Sequence, residues 1–269
     1  MAVIGKDGVQ HHVHLKAGDV GGYVLLPGDP GRCELIARYF DEPKFVAQNR
    51  EYVTYTGYLL GEKVSVTSTG IGCPSTAIAV EELIAVGAHT FVRVGTSGGI
   101  QPGTNAGDVA IVTGAIRDEG TSLHYMPVEF PAVADLDVVM ALKEGAVRAG
   151  IPYRLGITQS KDSFYGEIEP ERMPVSEHLL ERWKAWVMGG AICSEMESAV
   201  LFILCSIHRK RASGVMLMSS SADKAPQTEA EIAESERLFD VQRAIKTAIE
   251  GLKVLIEDDR KAQAKLSHC

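Results

Sequence analysis

Apolar positions along the chain follow two spacings, short compact runs that suit strands and longer stretches with helical periodicity. The first compact run, Tyr23-Val24-Leu25-Leu26, predicts a strand. It ends in Pro27-Gly28-Asp29-Pro30-Gly31-Arg32, a turn dense in residues that break regular structure, and a short helix is expected over 33–40. Runs over 52–60 and 63–69 flank Gly61-Glu62 and predict a β-hairpin. Gly70-Ile71-Gly72-Cys73-Pro74-Ser75 opens a helix: Pro74 suits the first turn, an apolar face runs from Ala77 to Val86, and Gly87 closes it. Phe91, Val92 and Val94 then predict a buried central strand running out into a glycine-rich turn at Gly95-Thr96-Ser97-Gly98-Gly99. Strand, turn, helix and strand in that order imply a crossover unit and an α/β sheet.

Further on, strands are expected over 108–116, 153–159 and 214–218, and helices over 135–149, 177–187 and 194–208. The 118–130 stretch reads as a polar loop, and 162–167 as a loop with two aromatics and two carboxylates. Trp183 and Trp186 both fall in the 177–187 helix, where they read as packing residues. Thr228 and Glu231 suggest a capping box opening one long last helix, with Ile232, Leu238, Phe239, Val241, Ile245, Ile249 and Leu252 on its buried side. No repeat, linker or composition break divides the chain, so residues 1–269 are expected to form one domain. It would carry a polar, histidine-rich arm at 1–22 and a fraying charged tail at 257–269.

Composition narrows the function classes. At 269 residues, 45% hydrophobic and 23% charged, the chain is an ordinary globular one. A net charge of −8 and a pI near 5.5 argue against a nucleic-acid surface, and an anionic substrate would need a local basic cluster. The five cysteines have no metal-ligand or redox spacing, which predicts reduced thiols. No apolar run reaches membrane-spanning length and no secretory signal is evident, so a cytoplasmic protein without membrane contact is expected.

Candidate chemistry gathers around charged residues in apolar or glycine-rich settings. Arg93 interrupts a buried strand, where an unpaired guanidinium would be costly, so it either meets an anion or is paired within the protein. Thr96 and Ser97 follow among glycines that let a backbone approach a ligand closely, a composition suited to phosphate. Arg32 beside the first turn offers a second candidate anion site, against the plainer reading of a tight turn. Arg50 in Asn49-Arg50-Glu51 reads as an ordinary surface charge.

Taken together, five motifs in fixed order resemble one family. They are Pro27-Gly28-Asp29-Pro30 with Arg32, Asn49-Arg50-Glu51, Ser68-Thr69-Gly70-Ile71-Gly72, Arg93-Val94-Gly95-Thr96 and Ser194-Glu195-Met196-Glu197-Ser198. The chain resembles the nucleoside phosphorylases of the hexameric type, and with Glu129-Phe130-Pro131-Ala132-Val133-Ala134-Asp135 it is most similar to their uridine phosphorylase branch. The resemblance implies a single α/β domain with a mixed, partly closed central β-sheet flanked by helices. It also implies phosphorolysis of a nucleoside to a free base and ribose 1-phosphate, in nucleoside salvage. Inorganic phosphate is then a co-substrate and no metal or organic cofactor is needed. Family members assemble as trimers of dimers with shared active sites, so the expected partners are nucleoside, phosphate and further copies of the chain.

Residue by residue, the resemblance assigns Gly28, Arg32, Arg93 and Thr96 to phosphate, with Arg50 lent by a partner subunit. Glu197 would grip the ribose 2′- and 3′-hydroxyls, with Met196 packing on the sugar; its alternative is a carboxylate complementing a helix dipole. Glu195 suits either purpose, and His14 resembles a partner-lent contact to the 5′-hydroxyl. Phe164 would stack on the base and Arg172 donate to a carbonyl. Glu167 departs from the branch, which has glutamine there: a carboxylate accepts from uracil N3–H but repels a carbonyl oxygen, and it equally suits N1–H of a 6-oxopurine. Asp223 lies near the aspartate that protonates N7 in the purine branch, or is simply a loop residue in solvent. Arg93, Glu197 and Asp223 are thus the candidate catalytic residues. Uridine is the first choice of substrate; a purine nucleoside, a nucleosidase using water, and a catalytically silent nucleoside-binding protein are the alternatives.

Overall fold

The computed structural model describes residues 6–219 and 228–266. Among these, ten strands form one mixed sheet: β1 (Tyr23–Leu26), β2 (Asp41–Asn49), β3 (Tyr52–Leu59), β4 (Glu62–Thr67), β5 (Thr90–Gly99), β6 (Val109–Asp118), β7 (Ala132–Val133), β8 (Tyr153–Lys161), β9 (Cys193–Glu195) and β10 (Arg211–Met218). The helices are α1 (Gly31–Ala37), α2 (Cys73–Ala85), α3 (Leu136–Arg148), α4 (Phe164–Ile168), α5 (Ser176–Met188), α6 (Ser198–Ile207), α7 (Glu229–Leu238) and α8 (Gln242–Leu266).

β5 is the hub. It runs parallel to β1 on one side and parallel to β10 on the other, and its last residues pair antiparallel with β9. β10 pairs with β6, β6 with β8 and β8 with β9, so five strands close on themselves into a barrel. From β1 the sheet continues outward through β4, β3 and β2. The partly closed mixed sheet expected from the resemblance is therefore present. Phe91, Val92 and Val94 of β5 are fully buried, and so is nearly every apolar side chain of α6. α3 and α8 pack so closely that a Cβ on Gly145 would lie 2.3 Å from the Gly251 amide nitrogen.

Several local expectations are corrected. The hairpin turn is Leu60-Gly61, both with left-handed φ (52° and 75°), as a two-residue primed turn requires; Glu62 already belongs to β4. The glycine-rich segment after Arg93 is not a turn, because Gly98 and Gly99 pair with Ser194 and Cys193 and carry β5 to its end. The 194–208 segment is strand then helix: Glu195 ends β9 and α6 starts at Ser198. The 162–167 loop contains α4, capped by Ser163, whose Oγ accepts from the Gly166 amide at 3.0 Å. The last helix is two, broken between Leu238 and Gln242, and the 257–266 tail is helical, with Asp259 accepting from Tyr23 Oη and Arg211.

β2 was not visible in the hydrophobic pattern because it is an exposed edge strand with Pro43, Lys44 and two register irregularities, the usual features of a blunted sheet edge. The N-terminal arm is better anchored than its polar sequence suggests. Val13 and Leu15 are buried, and the buried Glu82 of α2 accepts from the His12 and Val13 amides at 2.9 and 2.8 Å.

Candidate active site

Because β1 and β5 lie side by side with Leu26 opposite Arg93, the turn after β1 and the far half of β5 open at the same sheet edge. This brings Gly28, Arg32, Arg93 and Thr96 into the wall of one cavity of about 1050 Å³. Arg93 is paired within the protein through two of its nitrogens. Its Nε donates to Glu195 Oε2 at 2.8 Å and its Nη2 contacts Glu197 Oε2. Burial opposes the charge, but the two carboxylates outweigh it and hold the guanidinium above its ordinary pKa. Nη1, however, is buried and meets no hydrogen-bond acceptor among the described residues.

That free nitrogen points toward Gly28, where a Cβ would come within 3.9 Å of it and 3.1 Å of the Gly70 carbonyl oxygen. The Ser97 hydroxyl, a second buried group in the cavity wall, lies beside the Cys193 thiol, whose pKa it helps to lower, and meets no oxygen or nitrogen partner among the described residues. Arg32 completes the set. Burial lowers its pKa, Asp29 Oδ2 at 3.8 Å from Nε opposes that, and the charge of Arg93 adds to the lowering. Two guanidiniums that repel one another beside unsatisfied donors are the kind of donor set that suits an oxyanion.

The two glutamates divide their labour. Glu195 accepts from the Glu197 and Ser198 amides at 2.9 and 3.0 Å, capping α6, while also holding Arg93 and the Ser160 hydroxyl. Its oxygens are thus committed to the protein, and the structure makes it a cap and counter-ion rather than a sugar ligand. Glu197 stands at the N-cap position of α6 but makes no cap bond. Its Oε1 accepts from the Gly72 amide at 2.7 Å, and its Oε2 from the Met196 amide at 3.2 Å besides Arg93. Burial pushes this carboxyl up, Arg93 pulls it back, and Glu195 adds to the rise. Oε1 keeps a lone pair for a hydroxyl at the cavity wall, where Met196 also lies. The helix-dipole alternative therefore belongs to Glu195, not to Glu197.

The same cavity wall carries Phe164, 51% exposed, with Glu167, Trp183 and Lys161. Lys161 Nζ pairs with Glu167 Oε2 at 2.8 Å and contacts the Ser194 hydroxyl, which donates to the same oxygen at 2.5 Å. The sequence reading missed Lys161, although a lysine ending a strand directly before an aromatic-rich segment carries the same signal as Arg93. It missed Trp183 as a lining residue, and Glu51, whose carboxylate accepts from Ser75 Oγ at 2.7 Å in the cavity wall.

Arg172 lies outside this cavity wall, and so do the two residues expected to serve a neighbouring copy, His14 and Arg50. Arg172 is on the surface, paired with Glu169 and with a side chain 69% exposed. His14 and Arg50 are exposed, outside the cavity wall, each at a left-handed φ (54° and 53°). Asp223 lies outside the described residues. The four described cysteines are free and buried, and burial raises every thiol, Cys33 and Cys193 to about 12; Cys73, beside the second glycine turn, is held far from the thiolate form.

A site of this kind at the open edge of this sheet defines a class: the model of the Phosphorylase superfamily matches residues 23–257, and the chain belongs to that family. Within it, the chain is 51% identical to the uridine phosphorylase of Treponema pallidum (strain Nichols), over 96% of this chain and 99% of that one. It is 45% identical to the uridine phosphorylase of Thermococcus kodakarensis, over 86% of each. At 36% identity, over 91% of this chain and 99% of the relative, it is similar to the guanosine phosphorylase of Halorubrum lacusprofundi.

Proposed function

We propose that the protein converts uridine and inorganic phosphate to uracil and ribose 1-phosphate. The observation that carries this is the pair of unsatisfied buried donors, Arg93 Nη1 and Ser97 Oγ, facing a cavity that also holds Arg32 and the half-free carboxylate of Glu197. Phosphate bound there would lie on the same wall as the sugar hydroxyls gripped by Glu197. A phosphate oxygen attacks C1′, the C1′–N1 bond breaks with its electron pair passing to the base, and the uracil anion takes a proton from solvent. Positive charge that builds on the ribose ring is stabilised by the phosphate beneath it, and holding both reactants in one wall removes most of the entropic cost of their meeting.

His14 and Arg50 act in this reading from a neighbouring copy, as in an assembly of dimers closing into a hexamer, and Gly28 and Thr96 complete the phosphate cradle. No metal or organic cofactor takes part, and the protein works in the cytoplasm, in nucleoside salvage. The test is base release from uridine with and without phosphate, followed spectrophotometrically. Phosphate-dependent release of uracil supports the assignment. Release without phosphate identifies a nucleosidase, release from purine nucleosides alone a purine phosphorylase, and binding without turnover a silent binder.

A further inference from the structure

None of the 13 residues of α5 is fully buried, yet the helix carries Trp183 into the wall of the substrate cavity. Close packing does not hold it there. Beneath it lies a second cavity of about 400 Å³, with Asp118 and Gln159 on the barrel side and Arg182, Trp183 and Trp186 on the helix side. The Trp186 indole nitrogen is buried with no acceptor among the described residues, a further sign of incomplete contact. We propose that the Arg182–Asp118 ion pair is the latch that docks α5, which makes both of them positioning residues for nucleoside binding through Trp183. This rests on the assignment of the cavity to nucleoside phosphorolysis and adds to it what keeps one wall of the site in place.

The latch has a fixed half and a helix-borne half. Asp118 Oδ2 accepts from Gln159 Nε2 at 2.6 Å, so the carboxylate is tied to β8 independently of the helix. Its other oxygen, Oδ1, meets Arg182 Nη2. The Arg182 guanidinium carbon also lies 5.5 Å from the centre of the Trp186 ring, within the range of a cation–π contact. Near its ends α5 is fastened differently. Gln101 Nε2 donates at 2.8 Å to the Val187 and Ala191 carbonyl oxygens, and Leu179 Cδ1 would lie 3.7 Å from a Cβ on Gly166 of α4. The middle of the helix, which bears Trp183, is left to Arg182.

The side chains of Arg182 and Asp118 are 39% and 19% exposed, so salt reaches the pair and screens it. A pair of this kind contributes modestly, and its loss shifts a balance between docked and undocked α5 without destroying the site. Undocking withdraws Trp183 and lets water into the cavity, which weakens nucleoside binding. Saturating nucleoside draws the wall back, so kcat is spared. The phosphate donors stand on β5 and on the turn after β1, apart from α5, so phosphate binding is spared as well. Uridine itself is uncharged. A salt effect on its KM at saturating phosphate therefore has to act through the protein.

Two variants open the latch from either side. Arg182→Met keeps the apolar stem, while Asp118→Asn keeps an oxygen for Gln159 and leaves the guanidinium over Trp186. Each should raise KM for uridine about three- to tenfold with kcat and phosphate half-saturation within about twofold, and the double variant should be no worse than either single one. Raising NaCl from about 0.02 to about 0.5 M should raise the wild-type KM at least about twofold, a response both variants should lack. Both tryptophans of the chain lie on α5, so acrylamide quenching of their fluorescence follows docking without any turnover. Asp118→Asn should make quenching at least about twofold more efficient. That measurement also serves should Arg182→Met fail to fold. Wild-type quenching in folded Asp118→Asn, or an unchanged uridine KM in either folded variant, would overturn the proposal. Increased quenching in a protein that turns over no nucleoside would leave the latch standing and remove the phosphorylase reading. Phosphate-dependent uracil release, with KM and quenching indifferent to both substitutions, would do the reverse.

Discussion

Replacing Arg93 with methionine tests the centre of the site, because the stem remains while the guanidinium is lost. Arg93 serves two carboxylates and one empty place, so the substitution has two separable consequences. The first is on binding. A charge-assisted hydrogen bond to phosphate contributes about 1.5–3 kcal/mol, which at about 1.4 kcal/mol per decade predicts a rise of about 10- to 150-fold in the phosphate concentration at half-saturation. The second is on stability. Glu195 and Glu197 would face one another without their counter-ion, and breaking a buried pair from one side costs about 3–5 kcal/mol.

The pH dependence distinguishes this cause from simple loss of packing. Glu197 already stands above the ordinary carboxyl range because of burial, and Arg93 is the chief influence pulling it down; removing Arg93 lifts it further. A carboxyl whose folded-state pKa exceeds its unfolded value of about 4.3 takes up a proton on folding between the two values. Stability from that group is therefore lost as pH rises through the window and regained on acidification. Urea denaturation of both proteins should give a difference of about 3–5 kcal/mol near pH 7 that narrows by about pH 5. A difference below about 1 kcal/mol, or one identical at both pH values, would refute the account of Arg93 as the shared counter-ion.

Three further outcomes follow from the same geometry. Ser97→Ala removes a donor whose one protein neighbour is the weakly accepting Cys193 thiol, so it should raise phosphate half-saturation roughly five- to tenfold with little change in denaturation, and unaltered phosphate dependence would take Ser97 out of the cradle. Glu82→Ala strips two backbone amides of the arm of their acceptor, so it should cost about 2–4 kcal/mol and open the segment around His12 and Val13 to limited proteolysis; an equally resistant variant would show that the arm is held otherwise. Gly145→Ala drives a methyl against the α8 backbone and should cost about 1–3 kcal/mol by chemical denaturation, whereas a neutral result would mean that α3 and α8 can separate freely.

Two kinds of feature were legible in the chain: elements with a regular apolar pattern, and residues whose own type conflicts with that pattern. Periodicity placed α2, α3 and α5 to within a residue or two, and an arginine in the apolar run of β5 announced a partner for Arg93. What a linear pattern does not carry is which side chain meets which. Glu195 lies 102 positions from Arg93, and only the closing of β9 against β5 decides that Glu195 caps the helix while Glu197 turns to the cavity. Arg172 shows the converse. Its residue type suits a base carbonyl, but Glu169, one turn away, captures it on the surface.

Lys161 connects the two cases. It ends β8, which alternates half-exposed and exposed residues until Thr158 and is buried from there to its end. A lysine placed in that buried end needs a counter-ion, and the barrel offers Glu167 on the next helix and Ser194 on the adjoining strand. A glutamine at 167 would leave that ammonium without an opposite charge, and a buried charge stripped of its partner costs several kcal/mol. The glutamate that looked like a departure from the base-reading pattern is thus what burial of Lys161 demands. Charge balance across β8 and α4, rather than the base alone, fixes the identity of residue 167.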